Sequence, residues 1–206
     1  MQCVAYPREN VTGLLFFVAV TQFLLCLTIA EVLYPGYSVS DNYISDLGVG
    51  PSSIIFNSSV FILGLSVLLG TYFLRHNPNF KTVNIQLILV GISAMGVGVF
   101  TKDFTLAHGA VSSATFFFAG LSAILSFKVL KKPFSLISVI LGIMTLVALS
   151  LFSIGMVTSG SMTSNIAYDS NFYLGLGPGG MERMIVYPAL IWLAGLGSYL
   201  VAQREL

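Results

Sequence analysis

The stretch Ser135-Leu-Ile-Ser-Val-Ile-Leu-Gly-Ile-Met-Thr-Leu-Val-Ala-Leu-Ser-Leu-Phe-Ser-Ile-Gly-Met-Val157 carries no charged side chain over its whole length. A helix of about 20 mostly apolar residues crosses a bilayer, so this run predicts a membrane span. Five more runs qualify, at roughly 12–34, 54–74, 85–101, 109–130 and 184–202. All six are continuous, whereas a membrane barrel shows alternating segments of about 10 residues, and the barrel reading is set aside. The sequence therefore predicts an all-α, polytopic integral membrane protein with six transmembrane helices, organised as one domain over 1–206.

Composition agrees. Of 206 residues 56% are hydrophobic and only 8% are charged, against roughly 25% charged in a soluble domain. The mean hydropathy is +0.91. With so few hydrated side chains, 16 Phe and the long apolar runs would leave surface patches that soluble monomers do not tolerate. The solvent for this surface is lipid.

Two connections are long, Pro35 to Ser53 and Thr158 to Gly180, and a six-span topology puts both on one side. Arg8, Arg75, Lys81, Lys128, Lys131, Lys132 and Arg204 fall on the side of the termini, and only Lys102 and Arg183 fall opposite. The excess of bases predicts cytoplasmic N- and C-termini in a multi-pass protein of the cell membrane. Both long extracytoplasmic loops are expected to be ordered and to pack over the bundle. The acids reverse the pattern: Glu31, Asp41, Asp46, Asp103, Asp169 and Glu182 lie outside, and only Glu9 and Glu205 inside. Tyr34, Tyr37, Tyr43, Tyr168, Tyr173 and Tyr187 are also outer, where an aromatic belt sits.

Arg8 ahead of an apolar run imitates a signal peptide, but the run exceeds a signal core, and a retained span is expected. Cys3 and Cys26 are separated by the topology, which argues against a disulfide. The Asn-x-Ser/Thr matches at Asn10 and Asn57 fall on the inner side and within a span, and are read as chance. Gly91, Ala94 and Gly98 in the third span, and Gly109 with Ser113 in the fourth, predict close helix approach.

The candidate chemistry lies outside. In the first outer loop, Ser40 or Asp41 is expected to cap a short helix ending near Gly48, which would set Asp41 and Asp46 about 140° apart. An unperturbed imidazole titrates near neutrality, which makes His108 the candidate general acid or base, with Asp46 or Asp103 to orient it. These three form the catalytic set. Asp41, Ser45, Gly179, Gly180, Glu182, Arg183 and Tyr187 form the ligand-binding set. Gly175, Gly177 and Gly180 match G-x-G-x-x-G, but no strand precedes them, so a dinucleotide fold is rejected. Glycine-rich backbone leading into the last span still offers amide donors, and Arg183 a fork for phosphate. Oxygen and imidazole ligands at the outer acidic cluster would suit a divalent metal, yet the paired-His spacing is missing. No metal site is assigned and no cofactor is expected.

Tyr43-Ile-Ser-Asp-Leu-Gly-Val-Gly-Pro51 with Phe56-Asn57, His108-Gly109-Ala110, and Gly179-Gly180-Met181-Glu182-Arg183 leading to Tyr187-Pro188 carry a resemblance. Over nearly the whole chain the sequence resembles the prokaryotic six-span membrane family called domain of unknown function 998. More distantly, Ile44 to Gly48, Pro51 and His108 to Ala110 resemble the DRAM and Frag/Sfk membrane proteins, which are associated with autophagy, lipid organisation and glycolipid-anchor remodelling. The nearer resemblance implies a six-helix fold and brings no reaction. The farther one implies lipid-related work and transfers no catalytic residue.

The leading expectation is an outer polar site, built from Asp41, Asp46, Asp103, His108, Glu182 and Arg183, that binds a lipid headgroup or small polar ligand. A chemical form of it would be a lipid hydrolase or transferase. The alternative is a structural or regulatory subunit of a larger membrane complex. Membrane lipids are the expected partners, with other membrane subunits or self-association beside them, and no nucleic acid. A transporter is disfavoured because no ionisable residue falls near mid-span.

Overall fold

Inside a bilayer every backbone N–H and C=O has to find its partner within the protein, which leaves helices as the economical solution for uninterrupted apolar runs. A computed structural model of the chain describes residues 8–160 and 169–202. It contains six long helices: α1 (Arg8–Leu33), α2 (Ser53–Leu74), α3 (Lys81–Val99), α4 (Thr105–Leu125), α5 (Phe134–Ser159) and α6 (Gly177–Ala202). All six are long and apolar enough to cross a membrane. The described residues contain no strand. Cys3, Tyr168, Arg204, Glu205 and the 161–168 part of the second long loop lie outside the described residues.

Each helix packs on its sequence neighbours, and α6 returns against both α5 and α1, closing a ring of six. The helices are apolar on both faces. Phe16, Phe23 and Leu27 of α1 are buried while Leu14, Phe17 and Leu25 are exposed, and α5 exposes Leu136, Ile140, Ile143 and Val147. An outer surface of this kind is stable facing lipid chains and not water. The most buried helix is α6 and the least buried is α5.

Because lipid is as apolar as Leu, close packing and interhelical hydrogen bonds hold such helices together. Three of the six neighbour contacts are glycine pairs. A Cβ on Gly13 would stand 2.5 Å from the Gly197 carbonyl oxygen, one on Gly64 2.7 Å from that of Gly91, and one on Gly142 2.6 Å from that of Gly120. These pairs join α1 to α6, α2 to α3, and α4 to α5. Between α1 and α2, Thr12 Oγ1 donates to the Gly70 carbonyl (3.0 Å) and Gln22 Nε2 to that of Ser59 (2.9 Å).

The span count agrees with the sequence reading, and the helix starts do not. Counting apolar residues marks only the part in hydrocarbon, and a helix continues past it wherever its polar end is satisfied. Thus α6 begins at Gly177 instead of near residue 184, so Gly177 to Arg183 are its first two turns. The first-loop helix is a 3-10 turn, Ile44–Gly48, and starts after the expected cap position. Its cap is Asp46, whose Oδ2 accepts from Tyr43 N at 2.9 Å, whereas Asp41 accepts only from the neighbouring Ser38 (2.6 Å) and Ser40 (3.1 Å) hydroxyls. Asn57, inside α2, holds this turn in place by donating to the Gly48 carbonyl at 2.9 Å.

The small residues also divide. Gly91 and Gly98 meet α2 closely, but a Cβ on Gly109 would have nothing within 4 Å. Gly109 and Ser113 therefore do not form a helix contact; they border a void. Gly142→Ala is expected to destabilise the protein by about 1–3 kcal/mol through overpacking against the Gly120 carbonyl. Gly109→Ala is expected to leave the thermal midpoint in detergent unchanged or slightly raised. Equal midpoints for the two variants would contradict the assigned crossing.

Candidate functional site

The far end of the bundle, away from the start of α1 and the end of α6, carries two charged clusters that hold the first loop. A guanidinium among apolar helices needs several acceptors, and Arg183, 6% exposed, finds four. Its Nη1 donates to the Val39 and Gly179 carbonyls at 2.9 and 3.0 Å. Its Nη2 donates to Glu31 Oε1 at 2.5 Å and to the Tyr37 hydroxyl at 2.9 Å. Tyr37 in turn donates to the Tyr43 carbonyl at 3.1 Å. Burial, the main cause, pushes the Tyr37 hydroxyl up to about 12. One side chain of α6 thus ties α1 and the first loop together.

The second cluster holds the other end of that loop. Lys102 pairs with Asp46 and stands 4.7 Å from the centre of the Tyr43 ring. Next along α6 from Arg183, Glu182 accepts the Ile44 backbone N–H. The glycines at the start of α6 are part of the same docking. Gly179 N donates to the Ser40 carbonyl at 2.8 Å, and a Cβ there would stand 2.0 Å from the Asn42 carbonyl oxygen. The bare backbone of Gly179 lets the loop lie directly on the helix.

Beneath this roof α4 and α5 separate. They touch at Gly120 and Gly142 and leave a cavity of about 380 Å³ between their far ends, floored by α6. That volume lies within the roughly 300–1,000 Å³ of small-molecule sites. The lining runs from Thr105 to Phe116 on α4, about 16 Å at 1.5 Å per residue. Its inner end carries Phe116, Leu149 and Phe152, with Ser113 and Ser153 beside them; its outer end carries Lys102, His108, Glu182 and Ser45, with Leu106, Met156 and Val157 beside them. Aromatic packing shapes one wall. The Tyr43 ring meets Phe152 edge-on at 5.6 Å, and Tyr173 from the second loop stacks on it at 5.9 Å. Tyr173 is fully buried against Gly155, where a Cβ would stand 2.2 Å from its ring.

His108 is half-buried on this wall. Its Nδ1 lies 2.7 Å from the Phe100 carbonyl oxygen. A carbonyl only accepts, so Nδ1 carries the proton and Nε2 is left as an acceptor able to exchange one. The orienting partner is that backbone carbonyl, where an aspartate was expected: Asp46 is engaged by Lys102, and Asp103 is exposed.

The six expected groups do not gather at one point. His108 and Glu182 face the cavity, and Asp46 stands behind Lys102. Arg183 is enclosed on the α1 side, its Nη donors taken by protein acceptors and its Nε buried without a partner among the described residues. Gly179 is spent on the loop, Gly180 lies half-buried in the first turn of α6, Asp41 is exposed, and Tyr187 is 38% exposed on the flank of α6. Ser45 does line the cavity. Among the described residues no three His, Cys, Asp or Glu side chains are placed to hold a metal ion. Lys102, Tyr43 and Ser112 were missed as site residues; being one of only two bases on its side was the available signal for Lys102.

A bundle of six helices, each long and apolar enough to cross a membrane, with a cavity between two of them at one end, defines a multi-pass integral membrane protein. The chain belongs to the family described as Protein of unknown function (DUF998), whose model matches residues 17–199. No curated protein and no solved structure matches it.

Removing Glu31 leaves the buried Arg183 charge unmatched, and removing Arg183 strips the partly buried Glu31 carboxylate and the first loop of their shared partner. Glu31→Gln or Arg183→Ala is expected to cost about 3–5 kcal/mol in detergent melts. Arg183→Lys restores little, because an ammonium does not reproduce the planar fork. Tyr37 adds a pH signature. Its pKa is raised on folding, so its contribution is whole below about pH 10 and fades toward pH 12. The stability gap between wild type and Tyr37→Phe is expected to be constant up to pH 10 and to narrow above it; a gap that widened would contradict the buried hydroxyl.

Proposed function

We propose that this protein binds a membrane amphiphile in the α4–α5 cavity, with the far end of the bundle on the extracytoplasmic side of the cell membrane. The observation that carries the reading is that the ionisable lining groups, Lys102, His108 and Glu182, all lie at the outer end, while the innermost side chains, Phe116 and Leu149, are apolar. A polar solute would leave the deep wall uncovered, and a pure hydrocarbon would leave the shallow groups without partners. A lipid places its head among the polar side chains and part of a chain against the rings. The distribution of Arg8, Arg75, Lys81, Lys128, Lys131 and Lys132 at the opposite end supports the orientation. A catalytic form of the site would use His108 Nε2 for proton transfer with the bound head, its ring fixed by Phe100.

Gly109 gives the test, because a side chain there meets only open space beside the cavity. Gly109→Leu is expected to reduce several-fold the lipid retained by gently extracted protein in native mass spectrometry, with the thermal midpoint preserved. An unchanged lipid load would overturn the reading. Orientation is read separately. In a background lacking Cys3 and Cys26, Asp103→Cys is expected to react with an impermeant maleimide added outside intact cells, and Lys131→Cys only after lysis; the reverse pattern would invert the topology.

A further inference from the structure

The charges around the cavity also restrict the head of the ligand, on the premise that the cavity takes an amphiphile. The far end carries two bases, Lys102 and Arg183, against six acids, Glu31, Asp41, Asp46, Asp103, Asp169 and Glu182, a net charge of 2 − 6 = −4. The Arg183 charge is met by Glu31, away from the cavity. At the cavity itself Lys102 is met by Asp46, which leaves the Glu182 carboxyl facing the space without a basic side chain paired to it.

Among the described residues Glu182 is engaged only at Oε2, by Ile44 N. The second carboxylate oxygen and His108 Nε2 are acceptors, and Ser45 and Ser112 hydroxyls accept as well as donate. An anionic head without a cation would bring no positive partner to the Glu182 carboxyl and would meet like charge wherever that carboxyl is ionised. A primary ammonium has three donors and a positive charge, which matches this set. Lys102 keeps two N–H donors beyond the one given to Asp46, and they suit a phosphate beside the ammonium. We infer that the cavity selects a phosphoethanolamine-type head, with Glu182 receiving the ammonium and Lys102 the phosphate.

This chemistry is shared by an ethanolamine phospholipid and by free O-phosphoethanolamine, and the experiment separates them. Delipidated wild-type protein in detergent is incubated with equimolar phosphatidylethanolamine and phosphatidylglycerol of the same chains, and bound lipid is read by native mass spectrometry. The expected preference for the ethanolamine lipid is about tenfold or more, the worth of one charge-assisted hydrogen bond. Glu182→Gln keeps an oxygen for the Ile44 N–H and removes the charge, so that preference is expected to fall to near unity while total lipid bound is retained. Equal binding of the two lipids by wild type, or an undiminished preference in Glu182→Gln, would overturn the inference without touching the amphiphile reading. If wild type takes up neither lipid but binds free O-phosphoethanolamine in a Glu182-dependent way, the head assignment stands and the amphiphile reading fails. Binding of none of the three would overturn both.

Discussion

A guanidinium enclosed at the end of an apolar bundle is the constraint on which the arrangement of this protein depends. Burying Arg183 is costly unless its donors and charge are met from close range. The partners come from three places: Glu31 at the end of α1, Tyr37 and Val39 in the first loop, and Gly179 one turn back on α6. Satisfying one side chain therefore closes the helix ring between α6 and α1 and fixes the first loop over the bundle. The adjacent Glu182, about 100° around the helix, holds the same loop at Ile44 and points to the other side. Lys102 with Asp46 anchors it a third time. The loop is thereby a fixed roof.

What lies beneath the roof follows from packing. Where α4 and α5 meet at Gly120 and Gly142 their backbones are nearly in contact, and beyond that crossing the helices diverge. A run of small residues, Gly109, Ala110, Ser112 and Ser113, then leaves space that larger side chains would have filled. Phe152, braced by Tyr43 and Tyr173, keeps the opposite wall from collapsing inward. The proposed lipid would set its head among Lys102, His108 and Glu182 and its chain against Phe116 and Leu149.

The six spans were legible because each is apolar all round and uninterrupted, so solvent preference alone identifies them. The sorting of acids and bases by side was legible for the same reason, since it needs only the order of spans. Which acid meets which base was not. Arg183 and Glu31 stand 152 residues apart in sequence and Lys102 and Asp46 56 apart, so pairing depends on the ring closure. The start of α6 was read as glycine-rich loop because the apolar run begins only near residue 184; here Gly179 is bare to admit the Asn42 carbonyl, a contact with no local signature. Gly109 with Ser113 looks identical in sequence whether a helix or a void lies beside it. The partner of His108 is the backbone carbonyl of Phe100, a group that every residue carries and no side-chain pattern reveals.

A structural latch on one side of α6 is thus joined through a single loop to the α4–α5 cavity on the other, the centre of the proposed function. Its most direct test is a density map of the protein in lipid nanodiscs. The account expects head-sized density beside Lys102, His108 and Glu182, continuous with chain density against Phe116 and Phe152, under an ordered first loop held by Arg183. A collapsed α4–α5 space, or one holding only water with the first loop lifted from α6, would contradict it.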